Sequence, residues 1–157
     1  MWRFMRTSKA NILLLSLLML GWLTACSNSA PASNRANDQL SPPDRVEVVY
    51  FYDSKICQCE KLPGEHIQST LFINFSSELA SGKLTYQMVD LNDRNNTAIA
   101  SQYGATSLSL FLKVVRADDQ QIVAVPEILL VKDDYDALDR LVNNRISEYL
   151  YGQSNSW

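Results

Sequence analysis

The stretch RVEVVYFYDSKICQCE, residues 45–60, decides how the rest of the chain is read. Val46, Val48, Val49, Tyr50, Phe51 and Tyr52 are β-branched or aromatic, in a run too short for a helix and too continuous for a strand with one wet face. The run is therefore expected to be a central strand buried on both sides. Asp53 and Ser54 are turn or cap residues, and Cys57-Gln58-Cys59 falls just before a helical pattern that begins around Glu60. A thiol at a helix start lies near unpaired backbone N–H groups and the positive end of the helix dipole. Both favour the thiolate, which is the nucleophile and the metal ligand. Lys55 and Lys61 flank the pair and add positive charge beside it.

Outward toward the N-terminus, residues 1–10 carry Arg3, Arg6 and Lys9 with no acid, and residues 12–23 are almost wholly apolar. That apolar run is about a dozen residues, short of the roughly 20 that a spanning helix needs. It ends in Leu23-Thr24-Ala25-Cys26. This resembles the bacterial lipoprotein signal, in which small residues precede a cysteine that receives lipid and becomes the first residue of the mature chain. The resemblance implies a signal peptide over residues 1–25, palmitate-bearing lipid on Cys26, and a membrane-anchored protein on the extracytoplasmic side of the bacterial envelope. The other reading of these residues is an uncleaved anchor or a plain signal with an accidental cysteine. Ser27 stands where aspartate would mark retention at the inner membrane of a double-membraned bacterium. Without residues 1–25, eleven basic residues face seventeen acidic ones, a net charge of −6 that argues against nucleic acid as a partner.

Residues 26–44 are rich in Ser, Asn, Ala and Pro and read as a flexible tether after the lipidated cysteine. Residues 45–152 hold the apolar periodicity of one domain, and residues 153–157 read as a disordered tail. Ile67, Leu71, Phe72, Phe75 and Leu79 recur at helical steps until Ser81-Gly82, with Pro63-Gly64 expected to interrupt the first turn. Residues 84–91 are expected to form a second strand and residues 97–103 a short helix ending at Gly104. Residues 107–115 read as a third strand, residues 116–121 as a polar turn, and residues 122–125 as an antiparallel partner limited by Pro126. Asp133-Asp134 opens a last helix with Leu138, Leu141, Val142, Ile146, Tyr149 and Leu150 as its apolar stripe. The expected fold class is α/β, a central mixed sheet of about four strands in chain order β-α-β-α-β-β-α with helices on both faces.

That order, with a cysteine pair after the first strand, resembles the thioredoxin-like fold over essentially the whole domain. Residues 49–59 resemble the strand and cysteine turn of thioredoxins, and Tyr103-Gly104-Ala105-Thr106-Ser107-Leu108-Ser109 resembles the Tyr-Gly segment leading into their third strand. Val89-Asp90-Leu91-Asn92 looks like the strand end before their second helix. More closely, the layout is similar to a bacterial thioredoxin-like group labelled nitrophenyl compound nitroreductase subunit, which shares a Tyr-Phe strand before a cysteine pair and the Ser-Gly-Lys-Leu motif of residues 81–84. The resemblance implies redox chemistry with a cysteine-containing protein of the envelope as partner. No flavin-binding or nicotinamide-binding fingerprint is present, and no cofactor is expected. The chain departs from thioredoxins in three places. Only Gln58 separates the cysteines where thioredoxins have two residues, Ser109 matches the position of their cis-proline, and Tyr50 is the strand residue offered where they bury an acid.

A bridge from Cys57 to Cys59 closes a very small ring, worth only about 1.6 kcal/mol of chain entropy against about 3 for a fifteen-residue loop. A purely structural role explains it poorly. Two thiols this close outside the cytoplasm are expected to cycle between dithiol and disulfide, Cys57 attacking from the more exposed end and Cys59 resolving. The same pair, one residue apart, suits a soft ion such as Cu(I), and an inert pair is the third possibility. His66, the one histidine, falls nearly two turns further along and reads as a surface or interface residue. Asp133, Asp134 and Asp136 read as first-turn acids favoured by the helix dipole, not as metal ligands. Tyr50, Phe51, Tyr52, Phe72, Phe75, Tyr86 and Phe111 read mostly as core. Neither a Ser-His-Asp arrangement nor a phosphate-cradling glycine loop is present. Two functions fit: a lipid-anchored thiol–disulfide oxidoreductase working through Cys57 and Cys59, or a non-catalytic binding module that holds a soft metal or docks on an envelope complex.

Overall fold

The structure is a computed structural model that describes residues 42–117 and 119–152, so the expected signal, Cys26 and the tail lie outside the described residues. Among the described residues four strands form one mixed sheet in the order β2-β1-β3-β4. They are β1 (Arg45–Tyr52), β2 (Leu84–Asp90), β3 (Ser109–Arg116) and β4 (Asp119–Ala124). β1 pairs in parallel with β2 and antiparallel with β3, and β3 pairs antiparallel with β4. The continuous apolar run thus occupies an interior position, flanked by strands on both sides, as its composition demands.

Because side chains alternate across a strand, β1 divides its run between two cores. Val46, Val48 and Tyr50 join one cluster, and Val49 and Phe51 join the other. The first cluster takes Ile67 and Leu71 from helix α1 (Lys61–Asn74), then Ile128 from the single-turn α4 (Ile128–Val131). It is completed by Leu138, Val142, Ile146 and Leu150 from the last helix, α5 (Tyr135–Tyr151). The second cluster takes Tyr103, with Ile99 and Ala100 packed against it, from α3 (Thr97–Tyr103). Helices therefore cover both faces. Phe51, Tyr103 and Phe111 make a three-ring contact with centroids 5.4–5.7 Å apart, tilted or edge-on as aromatic quadrupoles prefer.

Four details differ from the sequence reading. The helix expected to run to Ser81 breaks at Phe75 (φ −132°, ψ 32°) into α1 and α2 (Ser76–Ser81). Pro63 and Gly64 do not interrupt α1 but lie buried inside its first turn, where proline's missing N–H is one that the helix leaves unpaired anyway. Phe72 is 61% exposed, because the stripe that faces the sheet runs through Ile67, Leu71 and Phe75. β4 starts at Asp119, not Ile122; as an exposed edge strand with Gln120 and Gln121 in it, it carries no apolar alternation to read.

Gly64 marks how closely α1 meets β1. A Cβ there would sit 2.5 Å from Tyr50 Cδ1 and 2.7 Å from Met88 Cε. Gly64→Ala is expected to destabilise the chain by about 1–3 kcal/mol through overpacking, although the same change in a free helix stabilises it by up to about 1 kcal/mol. Urea unfolding measures the sign, and a stabilised variant would contradict this docking of α1.

Candidate functional site

The site forms where β1 and β2 end side by side. The N–H of Leu91 donates to the Tyr52 carbonyl at 2.9 Å, so the segments leaving the two strands start as neighbours. Asn92 bridges them, its side-chain amide donating to Asp53 and, at 3.5 Å, to Asp90. Asp90 Oδ1 also accepts from the N–H groups of Ser54 (3.3 Å) and Asn92 (3.0 Å). Both carboxyls are held below their usual range. Asp53 is lowered first by the Asn92 amide and then by the Lys55 N–H, and Asp90 first by Ser54 and then by Asn92.

Residues 53–60 make a turn that carries both cysteines. Their sulfurs lie at bonding distance, 2.13 Å, with Cα atoms 5.0 Å apart. Cys57 caps the 3-10 turn Gln58–Glu60, its Sγ accepting the N–H of Cys59 at 3.0 Å. A donor aimed at sulfur favours the thiolate when the bond opens. The exposures are the reverse of the expected ones: Cys59 is exposed and Cys57 half-buried, because the cap folds Cys57 back over the turn. Gln58 is exposed between them, and Ile56, 67% exposed, gives the rim an apolar face.

Of the other sequence candidates, Lys55 stands exposed on the same turn, its N–H donating to Asp53 Oδ1 at 2.8 Å. Lys61 directs its ammonium to Glu65 Oε1 at 3.4 Å, one helical turn on. Ser109 bonds inside its own loop, its Oγ accepting the N–H of Thr106 at 3.2 Å. His66 sits between α1 and α5, with Nε2 2.9 Å from Asp139 Oδ1 and its ring stacked on Tyr135 at 4.3 Å. Thr70 donates to the same oxygen of Asp139. Asp134 caps α5 by accepting the Ala137 N–H at 3.0 Å. Among the described residues no three His, Cys, Asp or Glu side chains gather as metal ligands.

The residue missing from the sequence reading is Glu60. It follows Cys59 directly and is 8% exposed. Its Oε2 accepts the Asp53 N–H at 2.9 Å and the Ser107 hydroxyl, while its backbone carbonyl accepts the Tyr50 hydroxyl at 2.6 Å. An acid at a helix start ordinarily reads as solvated, and no periodicity marks this one as buried. Tyr86 adds a second strand hydroxyl, donating to the Gly64 carbonyl at 2.6 Å. Burial raises the pKa of both tyrosines, with a further rise from nearby Glu60 at Tyr50 and from Tyr50 and Glu65 at Tyr86. Both hydroxyls therefore stay neutral donors well into alkaline pH.

Ser107 opens a cleft of about 190 Å³ lined by Leu108, Ser109, Phe111, Val125, Pro126 and Leu129, among others. Leu108 there has φ 61°, a conformation costly for a branched side chain and held only where its surroundings fix it. No helix among the described residues is long and apolar enough to cross a membrane. No family model matches the chain, and no curated protein matches it.

Asn92→Ala removes the side-chain amide that is the first cause of the lowering at Asp53 and a lesser one at Asp90, where Ser54 and the Asn92 N–H come first. Groups with a depressed folded-state pKa contribute stability above their unfolded pKa and lose it as the pH falls through the folded one. The variant is therefore expected to be less stable than wild type at pH 7, with the difference shrinking below about pH 4. Urea midpoints at stepped pH check this, and a difference of the same size at pH 7 and pH 3 would contradict it.

Proposed function

We propose that the chain is a thiol–disulfide oxidoreductase of thioredoxin-like fold, held to the bacterial envelope by lipid on Cys26. The observation that carries the proposal is the Cys57–Cys59 disulfide on an exposed turn between the end of the central strand and the start of α1. Its small ring stabilises the fold little, so exchange explains it better than structure does. The strand order, with β3 antiparallel to β1 beside it, supports the thioredoxin-like assignment. The similarity to the nitroreductase-subunit group supports a redox neighbourhood in the envelope.

The exposures give each sulfur a role. A partner thiolate reaches Cys59 Sγ and forms a mixed disulfide as the Cys57–Cys59 bond breaks. The electron pair of that bond leaves on Cys57, where the Cys59 N–H stabilises the thiolate. The partner's second thiolate then attacks its own sulfur in the mixed disulfide and releases Cys59. In sum, a partner dithiol becomes a disulfide, and two electrons and two protons pass to this chain. The reverse sequence, opened by Cys59 in the reduced chain, oxidises this chain and reduces the partner's disulfide. The assignment of attacker and resolver is thus exchanged relative to the sequence reading. Ile56 gives a partner segment apolar surface on the turn that carries the sulfurs.

Two measurements test this. In cells, Cys57→Ser leaves the accessible sulfur without its resolver and is expected to accumulate a mixed disulfide with an envelope protein, several-fold over Cys59→Ser on non-reducing gels. Equal trapping by the two variants would contradict the roles. No trapping by either, with metal copurifying with the wild type, would replace exchange by the soft-metal reading. Cys26→Ala is expected to abolish incorporation of radiolabelled palmitate, and retained label would contradict the anchor.

A further inference from the structure

We propose that Glu60 is a positioning residue for the Cys57–Cys59 couple, its carboxylate holding the turn in the geometry from which the disulfide closes. The inference rests on the thiol–disulfide reading and gives a use to a buried acid that the exchange steps leave idle. Glu60 Oε2 accepts the N–H of Asp53 at 2.9 Å, so a single contact joins the two ends of the turn that carries both sulfurs. The Ser107 hydroxyl donates to the same oxygen and fixes it to the loop before β3.

Between those ends the turn has only local bonds, the Lys55 and Ile56 N–H groups to Asp53, the Ser54 N–H to Asp90, the Cys59 N–H to Cys57 Sγ and the Glu60 N–H to the Cys57 carbonyl, none of which spans it. Lys55, Ile56, Gln58 and Cys59 are exposed, and Cys57 is only half-buried. Once the sulfur–sulfur bond opens, the Glu60 contacts remain as the buried tie across the turn. A closed turn keeps each thiol at a high effective concentration toward the other, which favours the disulfide. Without the tie the turn samples open conformations and the dithiol gains entropy. The potential then rises toward less negative values.

The test is the equilibrium of the full chain, in detergent, with glutathione. Two glutathione thiols reduce the Cys57–Cys59 disulfide and leave as glutathione disulfide, passing two electrons and two protons to the chain. Thiol trapping reads the constant. Glu60→Ala is expected to lower the constant for disulfide formation about tenfold, a rise of about 30 mV in potential. Ser107→Ala is expected to shift it in the same direction by less. Glu60→Gln keeps an oxygen that accepts both donors and is expected to stay near wild type. Ile146→Val, in the core on α5, is expected to lower thermal stability without moving the constant.

A Glu60→Ala variant that loses thermal stability while its constant stays at the wild-type value would overturn the proposal, leaving Glu60 a structural role. A Glu60→Gln shift as large as that of Glu60→Ala would also overturn it, since charge and not position would then be responsible. Should Glu60→Ala fail to fold, Ser107→Ala decides, and an unmoved constant there overturns the proposal. A wild-type chain that cycles beside unmoved variants sinks this inference alone, whereas a wild-type chain that never forms the bridge sinks it together with the exchange reading.

Discussion

The hydroxyl of Tyr50 donates to the carbonyl of Glu60 at 2.6 Å, inside the core and one residue from the disulfide. Tyr50 lies on an interior strand and is fully buried, so the bond fixes the start of α1 to the core face of β1. Removing the hydroxyl would cost about 0.5–1.5 kcal/mol, the net contribution of one intramolecular hydrogen bond. The close approach at Gly64 and the Tyr86 bond to the Gly64 carbonyl continue the same seam along the helix. The cysteine turn can therefore be exposed and lightly packed while both of its ends stay anchored. An exchange site needs that combination, sulfurs within reach of a partner on a backbone that does not wander.

Polar contacts around the turn extend this logic to three segments. Asn92 ties the exit of β1 to the exit of β2, and Glu60 ties both ends of the turn to the loop before β3. The buried acid at this site, Glu60, comes from the turn itself, next to Cys59 in the chain. Tyr50 takes a different part, donating to the backbone of the residue that provides the carboxylate.

Much of the fold was legible because burial writes itself into side-chain pattern. The unbroken apolar run of β1 demanded a two-sided position, and the stripe through Leu138, Val142, Ile146 and Leu150 demanded a helix with one buried face. Gly104 and Gly152, both at positive φ, end their helices where the sequence placed the stops. The remaining features carry no such pattern. Asp119, Gln120 and Gln121 belong to a strand whose side chains are exposed, so nothing distinguishes them from a turn. Phe72 fits a helical step as well as Leu71 does, and only the direction of approach to the sheet separates them. The cysteine pair is plain in the chain, yet that Cys59 is exposed and Cys57 half-buried follows from how the turn folds, not from their spacing. Glu60 owes its burial to contacts with Asp53, seven residues back, and Ser107, forty-seven residues on, which no local reading of a charged residue supplies.

The central claim is that the Cys57–Cys59 bond opens and closes reversibly under envelope conditions. Its most direct measurement is the reduction potential of the wild-type chain, by thiol trapping and mass spectrometry across glutathione buffers of stepped ratio, with bound metal assayed in the same samples. The account predicts a metal-free, reversible two-electron transition between roughly −120 and −270 mV, the span of known exchange catalysts. Thiols that stay unbridged across the whole series, or a bridge that no ratio reduces, would contradict it.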